Sequence, residues 1–424
     1  MKEQRNLLVG YDLSNDYTQI SCFNYNTFGP ETIKFDYDSD KEILDTVMAI
    51  NKETKEWFIA DEAIRASKEG KAILVTNIVE AVCKNKNVKI LDNWMSPTEL
   101  LSIYFRKSLS LIKRYHPNES IQRLEVCVAN TDIVLVKAIF TALERIGIDR
   151  DRVSVQNHSQ SFLYYALCQK KELWMNDVAL FDYGLKGLKY YQISIDRKHR
   201  PITVGVTVKD YSDEMNFKML NELSEEELQE KFKNLASYSL HKQIISTVYL
   251  TGKGFAGKWV NDTLGVFGHG KRIFKGINLF SEGACYAAKS SIEPEKFADY
   301  VFLSEDMVTT AISVNAYCEA KQQELIFVKT ATPWYEADKT YDFILDNTNE
   351  IEIVVRDDFK NTKISHIMYL DLNTARPNKT TRVKMRVRYL NPKVCVITVK
   401  DLGFGEFFKT TNRIWEKILD FSEQ

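Results

Sequence analysis

The feature that most constrains this chain is a hairpin pattern that occurs twice. Asn6 to Phe23, NLLVGYDLSNDYTQISCF, reads as an apolar strand, a tight polar turn holding Asp12, Ser14, Asn15 and Asp16, and a strand returning antiparallel. About 170 residues later, Val178 to Ile195, VALFDYGLKGLKYYQISI, repeats the order: an apolar run ending in Asp182, a turn with Gly184, Lys186 and Gly187, and an alternating strand. A third strand, VYLTGKGF from Val248 to Phe255, ends in Gly252, Lys253 and Gly254. Two hairpins of one design imply two similar lobes. Their turn amides are placed to face one shared phosphate chain, and the glycines of the third strand offer a surface to a flat ring. The pattern is that of a nucleotide cleft.

The segments between follow a strand–helix rhythm. Ser96, Pro97 and Glu99 form a capping box ahead of a stripe of Leu101, Phe105, Leu109 and Ile112, which predicts a core-packing helix. LEVCVA (Leu124 to Ala129) reads as a buried strand, with Asn130 or Thr131 as cap of a helix that ends at Gly147. RVSV then leads to NHSQSFLYYAL, and EGACYAAK (Glu282 to Lys289) opens a helix whose small residues permit close contact at a lobe boundary. This alternation predicts an α/β fold with mostly parallel or mixed sheets. From about Asp299 the character changes. YVFL (Tyr300 to Leu303) reads as a short exposed connector, six strand patterns follow, and NRIWEKILDF reads as a short closing helix. The expected domains are residues 1–176, a first lobe to which the helix 283–298 returns; 177–282, a reduced second lobe; and 299–424, a β-rich domain.

Composition narrows the function classes. At 424 residues the chain exceeds one core, and 8 prolines with 17 glycines leave little room for disordered linkers. Lys plus Arg total 57 against 58 Asp plus Glu, so no bulk field recruits nucleic acid or an anionic membrane. No apolar run approaches the ~18 residues of a membrane span, and the N-terminal run is too short for a signal peptide, so neither nucleic acid nor membrane is an expected partner and a cytoplasmic location is expected. The seven cysteines stand singly in apolar runs and never as CxxC, the usage of buried reduced thiols. In TRVKMRVR, Arg382, Lys384, Arg386 and Arg388 share one side of a strand, a face for an acidic partner.

Taken together, these stretches resemble the DnaK-type heat-shock chaperones of the actin-like ATPase superfamily over nearly the whole chain. GYDLSNDYTQIS resembles the family's first phosphate loop and FDYGLKGLKYYQISI its second. WFIADEAIRAS is similar to its G-D-x-A strand and helix, VYLTGKGF to its adenosine loop, and EGACYAAK to its second connecting helix. ADYVFLSEDMVTTAISV resembles the interdomain linker with the first strand of the peptide-binding β-domain, and KVCVITVKDLGFGE a late strand and turn of that domain. The resemblance implies two lobes with ribonuclease-H-like sheets followed by a β-sandwich-like domain, without the helical lid. It implies ATP or ADP with Mg²⁺ as cofactor. Asp12 and Asp182 match the two catalytic aspartates that hold magnesium through water, and Ser14, Asn15, Gly184, Lys186, Gly187, Gly252, Lys253 and Gly254 match the nucleotide-binding loops. The chain departs from the family where the glycine-rich second turn has lost two glycines and a threonine, and where His158 takes the place of the catalytic glutamate.

The expected function is therefore that of a chaperone-like protein in which an adenine nucleotide regulates a C-terminal domain that binds protein or peptide, with ATP hydrolysis slow or absent. The alternative is a degenerate pseudo-ATPase serving as a protein-interaction scaffold, and a sugar kinase on the same fold is a third reading that lacks a base for the sugar hydroxyl.

Overall fold

A computed structural model describes residues 6–35, 41–198, 200–267, 270–360, 362–372 and 376–422. It is a mixed α/β structure that divides into two compact units, Met1–Phe302 and Leu303–Gln424.

The first unit is built on two sheets of one design. In the first, the strands run in the order Gly29–Thr32, Tyr17–Asn24, Leu7–Leu13, Ile121–Val128, Val153–Asn157. The second runs Ile202–Asp210, Gly187–Asp196, Asp177–Gly184, Ile245–Thr251, Arg272–Lys275. In both, a meander of three antiparallel strands comes first in the chain, and two strands parallel to the first of them are then added on the far side. Each meander starts on a strand buried on both faces: Leu7–Leu13 is buried throughout, which is why it reads as a continuous apolar run.

Two helices join the sheets, each covering the sheet of the other half. Helix His158–Cys168 is opened by a capping box between Asn157 and Gln160, and its Phe162, Leu163, Ala166 and Leu167 pack with Val178, Leu180, Tyr191 and Ile193 of the second sheet. Helix Leu279–Ile292 lies across Leu7–Leu13, Tyr17–Asn24 and Ile121–Val128 of the first. The contact is so close that glycine is required. A Cβ on Gly283 would fall 2.0 Å from the Ser161 carbonyl oxygen, and one on Gly10 would fall 2.1 Å from that of Ser281. The small residues of EGACYAAK thus serve the close helix contact anticipated for them.

Four local expectations are corrected. The cap of helix Ile133–Glu144 is Asp132, whose Oδ1 accepts from the backbone N–H groups of Val134 and Leu135 at 2.8 and 3.2 Å, and not Asn130 or Thr131. YVFL is not an exposed connector: Tyr300–Leu303 forms the strand beside Ile202–Asp210, where the rings of Phe297 and Phe302 pack on Tyr164. The closing segment is a strand, Ile414–Asp420, rather than a helix. Trp415 and Leu419 pack on the core while Ile414, Glu416 and Ile418 face out, a two-residue period that satisfied a helical stripe over so short a run. The cysteines are free, but only Cys22, Cys127, Cys285 and Cys395 are buried; Cys83 is exposed.

The second unit is a sandwich of two four-stranded antiparallel sheets. Ile312, Val314, Ile353 and Val355 of one pack against Val383, Met385, Ile397 and Val399 of the other. The basic strand points Arg382, Lys384 and Arg386 outward with Arg388 half-buried, but Arg382 and Arg386 form ion pairs with Asp342 and Asp338 on the neighbouring strand. Much of that basic charge is answered inside its own sheet.

Candidate functional site

The two hairpin turns meet at one cavity of about 350 Å³ in the first unit, at the low end of the roughly 300–1,000 Å³ of ligand pockets. Ser14, Asn15, Asp16 and Tyr17 line it from the first hairpin. Asp182, Gly184, Leu185, Lys186, Gly187 and Lys189 line it from the second. His158 and Tyr191 also reach it, as do Asn130 and Asp132 beyond the strand Ile121–Val128, so the cavity opens where parallel strands end, the usual ligand position in α/β sheets.

Asp12 is not on that surface. It is fully buried, and its Oδ1 is 2.9 Å from Nε2 of His158 and 3.5 Å from Sγ of Cys127. The His158 ring lies flat on Phe280 with 3.9 Å between centroids, and it both touches Asp12 and lines the cavity. The three ligand-type atoms lie within 4.8 Å of one another, but both donors already converge on Oδ1. Oδ2 is left buried with no hydrogen-bond partner. Of the two expected magnesium aspartates, only Asp182 faces the cavity.

The field around Asp182 is mixed. Burial pushes its carboxyl up to about 6, against the pull of His158 and Lys189. Burial also raises Asp16, which Lys253 pulls down. Lys186 and Lys189 are the lysines of the lining, while Asp132 is committed to capping its helix. Asn15 is committed too: its Nδ2 donates to Asn77 and its Oδ1 accepts from the Glu80 N–H, tying the first turn to helix Ile78–Cys83.

The glycine strand takes a different place from the hairpins. Gly252, Lys253 and Gly254 do not line the cavity. Gly252 has φ +97°, and a Cβ there would fall 2.6 Å from the Tyr183 carbonyl oxygen, while one on Gly254 would fall 2.3 Å from the Tyr183 ring. The face offered by these glycines is occupied by Tyr183 of the same lobe, whose hydroxyl donates to the Asn216 carbonyl.

Lys189 was not singled out in the sequence, although the hairpin implies it. The two-residue turn Leu185–Lys186 sets a register that puts Lys189 directly across from Asp182. The role of Asp45 as partner of Lys253 had no sequence signal, because the two are 208 residues apart.

A family profile for the family of unknown function DUF5716, C-terminal, matches residues 29–305, most of this unit and more than half of the chain. The chain belongs to the DUF5716 family. The profile starts beyond the first hairpin and takes in the second hairpin, both crossing helices and the glycine strand. Residues 307–421 match DUF8552, a domain of unknown function, so the second unit of this DUF5716 member corresponds to a separate domain type. No curated protein matches the chain. Among the described residues, no helix is long and apolar enough to cross a membrane.

Proposed function

We propose that this chain is an actin-like protein, related to the DnaK-type chaperones, whose inter-lobe cleft binds an adenine nucleotide without hydrolysing it, and whose β-rich unit binds a protein partner. The actin-like reading is supported by the two sheets whose five principal strands share one order and by the helices exchanged between them. The binding reading is supported by the convergence of both hairpin turns, with Lys186 and Lys189, on one cavity. A point charge on Lys can take the place of amides that the glycine-poor turn does not supply.

One observation supports the reading without turnover: Asp12 is bound at 2.9 Å by His158 and does not line the cavity, whereas His158 does. The residues present do not fit a magnesium held between two open carboxylates, which leaves a metal-assisted hydrolytic step without its two anchors. His158 also stands where the resemblance places a water-positioning carboxylate, and loss of one preorganised catalytic group costs about 10²- to 10³-fold in turnover. This geometry favours the scaffold end of the reading, in which nucleotide is a structural or regulatory ligand.

Titration calorimetry of the full chain with ATP and ADP tests the binding. Saturable heat, weakened by Lys186→Ala and Lys189→Ala, is expected. No heat and no thermal shift at millimolar nucleotide would remove the nucleotide and leave a protein scaffold.

A further inference from the structure

Lys253 crosses from one lobe to the other. It follows strand Ile245–Thr251 of the second sheet, yet its Nζ lies 3.4 Å from Oδ1 of Asp45, whose short strand pairs with Tyr17–Asn24 of the first sheet. The same ammonium stands 5.2 Å from the centre of the Tyr17 ring, within cation–π range, and it bears on the carboxyl of Asp16. Its origin is rigid. Gly252 and Gly254, on either side, are held under Tyr183 with no space for a Cβ, so the backbone aims Lys253 at the first lobe.

The surroundings of Lys253 adjoin the cavity, although neither Lys253 nor Asp45 lines it. Asp16 and Tyr17 are walls of the cavity, and Lys253 approaches them from outside its lining. The Lys253 and Asp45 side chains keep 28% and 29% of their surface exposed, which places the pair among those that form and break readily rather than among fixed buried ones. Lys41, paired with Asp61 at 2.6 Å, also stands 3.8 Å from Asp45, so that carboxylate keeps a cation nearby when Lys253 leaves. An anionic group beside Asp16 would compete directly with Asp45 for Lys253.

We propose that Lys253 is a latch between the lobes, closed on Asp45 and Tyr17, which an anionic ligand in the cavity releases. The ligand part of this inference rests on the nucleotide reading above; the latch itself does not. A semi-exposed pair shifts a two-state equilibrium by a few fold, enough to bias the cleft without locking it.

The test is the distance between fluorophores carried on ketone side chains introduced at the exposed positions Glu53 and Asn234, one in each lobe, in the full chain. Without nucleotide, Lys253→Ala and Asp45→Asn are each expected to move the distribution toward longer distances by a few fold in open population. Lys253→Arg, which keeps the charge and the reach to both Asp45 and Tyr17, is expected to hold the wild-type distribution, which general sensitivity to substitution at this position would not allow. An unchanged distribution in Lys253→Ala, or a Lys253→Arg chain as open as Lys253→Ala, overturns the latch. Millimolar ATP is expected to move the wild type toward the Lys253→Ala distribution. If Lys253→Ala opens the lobes but ATP does nothing to the wild type, the release by nucleotide is overturned and the latch stands.

Discussion

Glu282→Gln should change how the stability of the first unit depends on pH. Glu282 lies in the first turn of helix Leu279–Ile292, one residue before the glycine that touches Ser161. Burial, and then the nearby Glu42, push its carboxyl from 4.5 up to about 7, with only the Thr32 hydroxyl opposing. Because the folded value exceeds the unfolded one, folding favours the protonated form. The stability contributed by this group is complete below pH 4.5 and is lost as pH rises through about 7. At 1.36 kcal/mol per pKa unit, the loss by pH 8 is about 3 kcal/mol. Glutamine keeps the shape and does not titrate. In urea unfolding of the full chain, the variant should therefore gain on the wild type between about pH 4.5 and pH 7 and level off above that. Asp182, also raised, is present in both proteins and cancels from the difference. Parallel pH curves for the two proteins would refute the reasoning.

Gly283→Ala should cost at least about 3 kcal/mol, since its Cβ meets backbone that cannot move aside, whereas Gly205→Ala, with open space around it, should be near neutral by the same unfolding assay. His158→Ala should cost about 3 kcal/mol by leaving Asp12 buried with its principal partner gone, and equal stability of variant and wild type would show that the pair does not seal the aspartate. In the β-rich unit, Arg376→Met should cost about 3–5 kcal/mol. It strips the fully buried Asp401 of a two-pronged contact at 2.8 Å, and a thermal scan that leaves that unit unchanged would contradict this.

Much of the fold was legible because it is written locally. The apolar run of Leu7–Leu13, the helix cap at Ser96 and the glycine-containing turn of the second hairpin are short-range signals that survive without tertiary context. The errors fell where local signals are shared by two structures. The strand Ile414–Asp420 has too few residues to separate a period of two from one of 3.6, and which of the three polar residues Asn130, Thr131 and Asp132 caps helix Ile133–Glu144 depends on backbone angles.

The site was legible in its parts and not in its assembly. Both hairpin turns were found, and they do share a cavity. That Asp12 turns inward to His158 was not visible, because the two are 146 residues apart and the aspartate is the same residue type in either orientation. The glycines of Gly252 to Gly254 resembled the adenosine loop of the DnaK-type chaperones, but their close neighbour Tyr183 comes from another strand.

The central claim is that nucleotide is held and not turned over, and single-turnover chemistry tests it most directly. With the full chain in excess over γ-labelled ATP and Mg²⁺, at concentrations where calorimetry shows the nucleotide bound, labelled phosphate should appear no faster than in buffer alone. Release of phosphate from bound ATP at a rate that scales with protein, and that His158→Ala abolishes, would contradict the account.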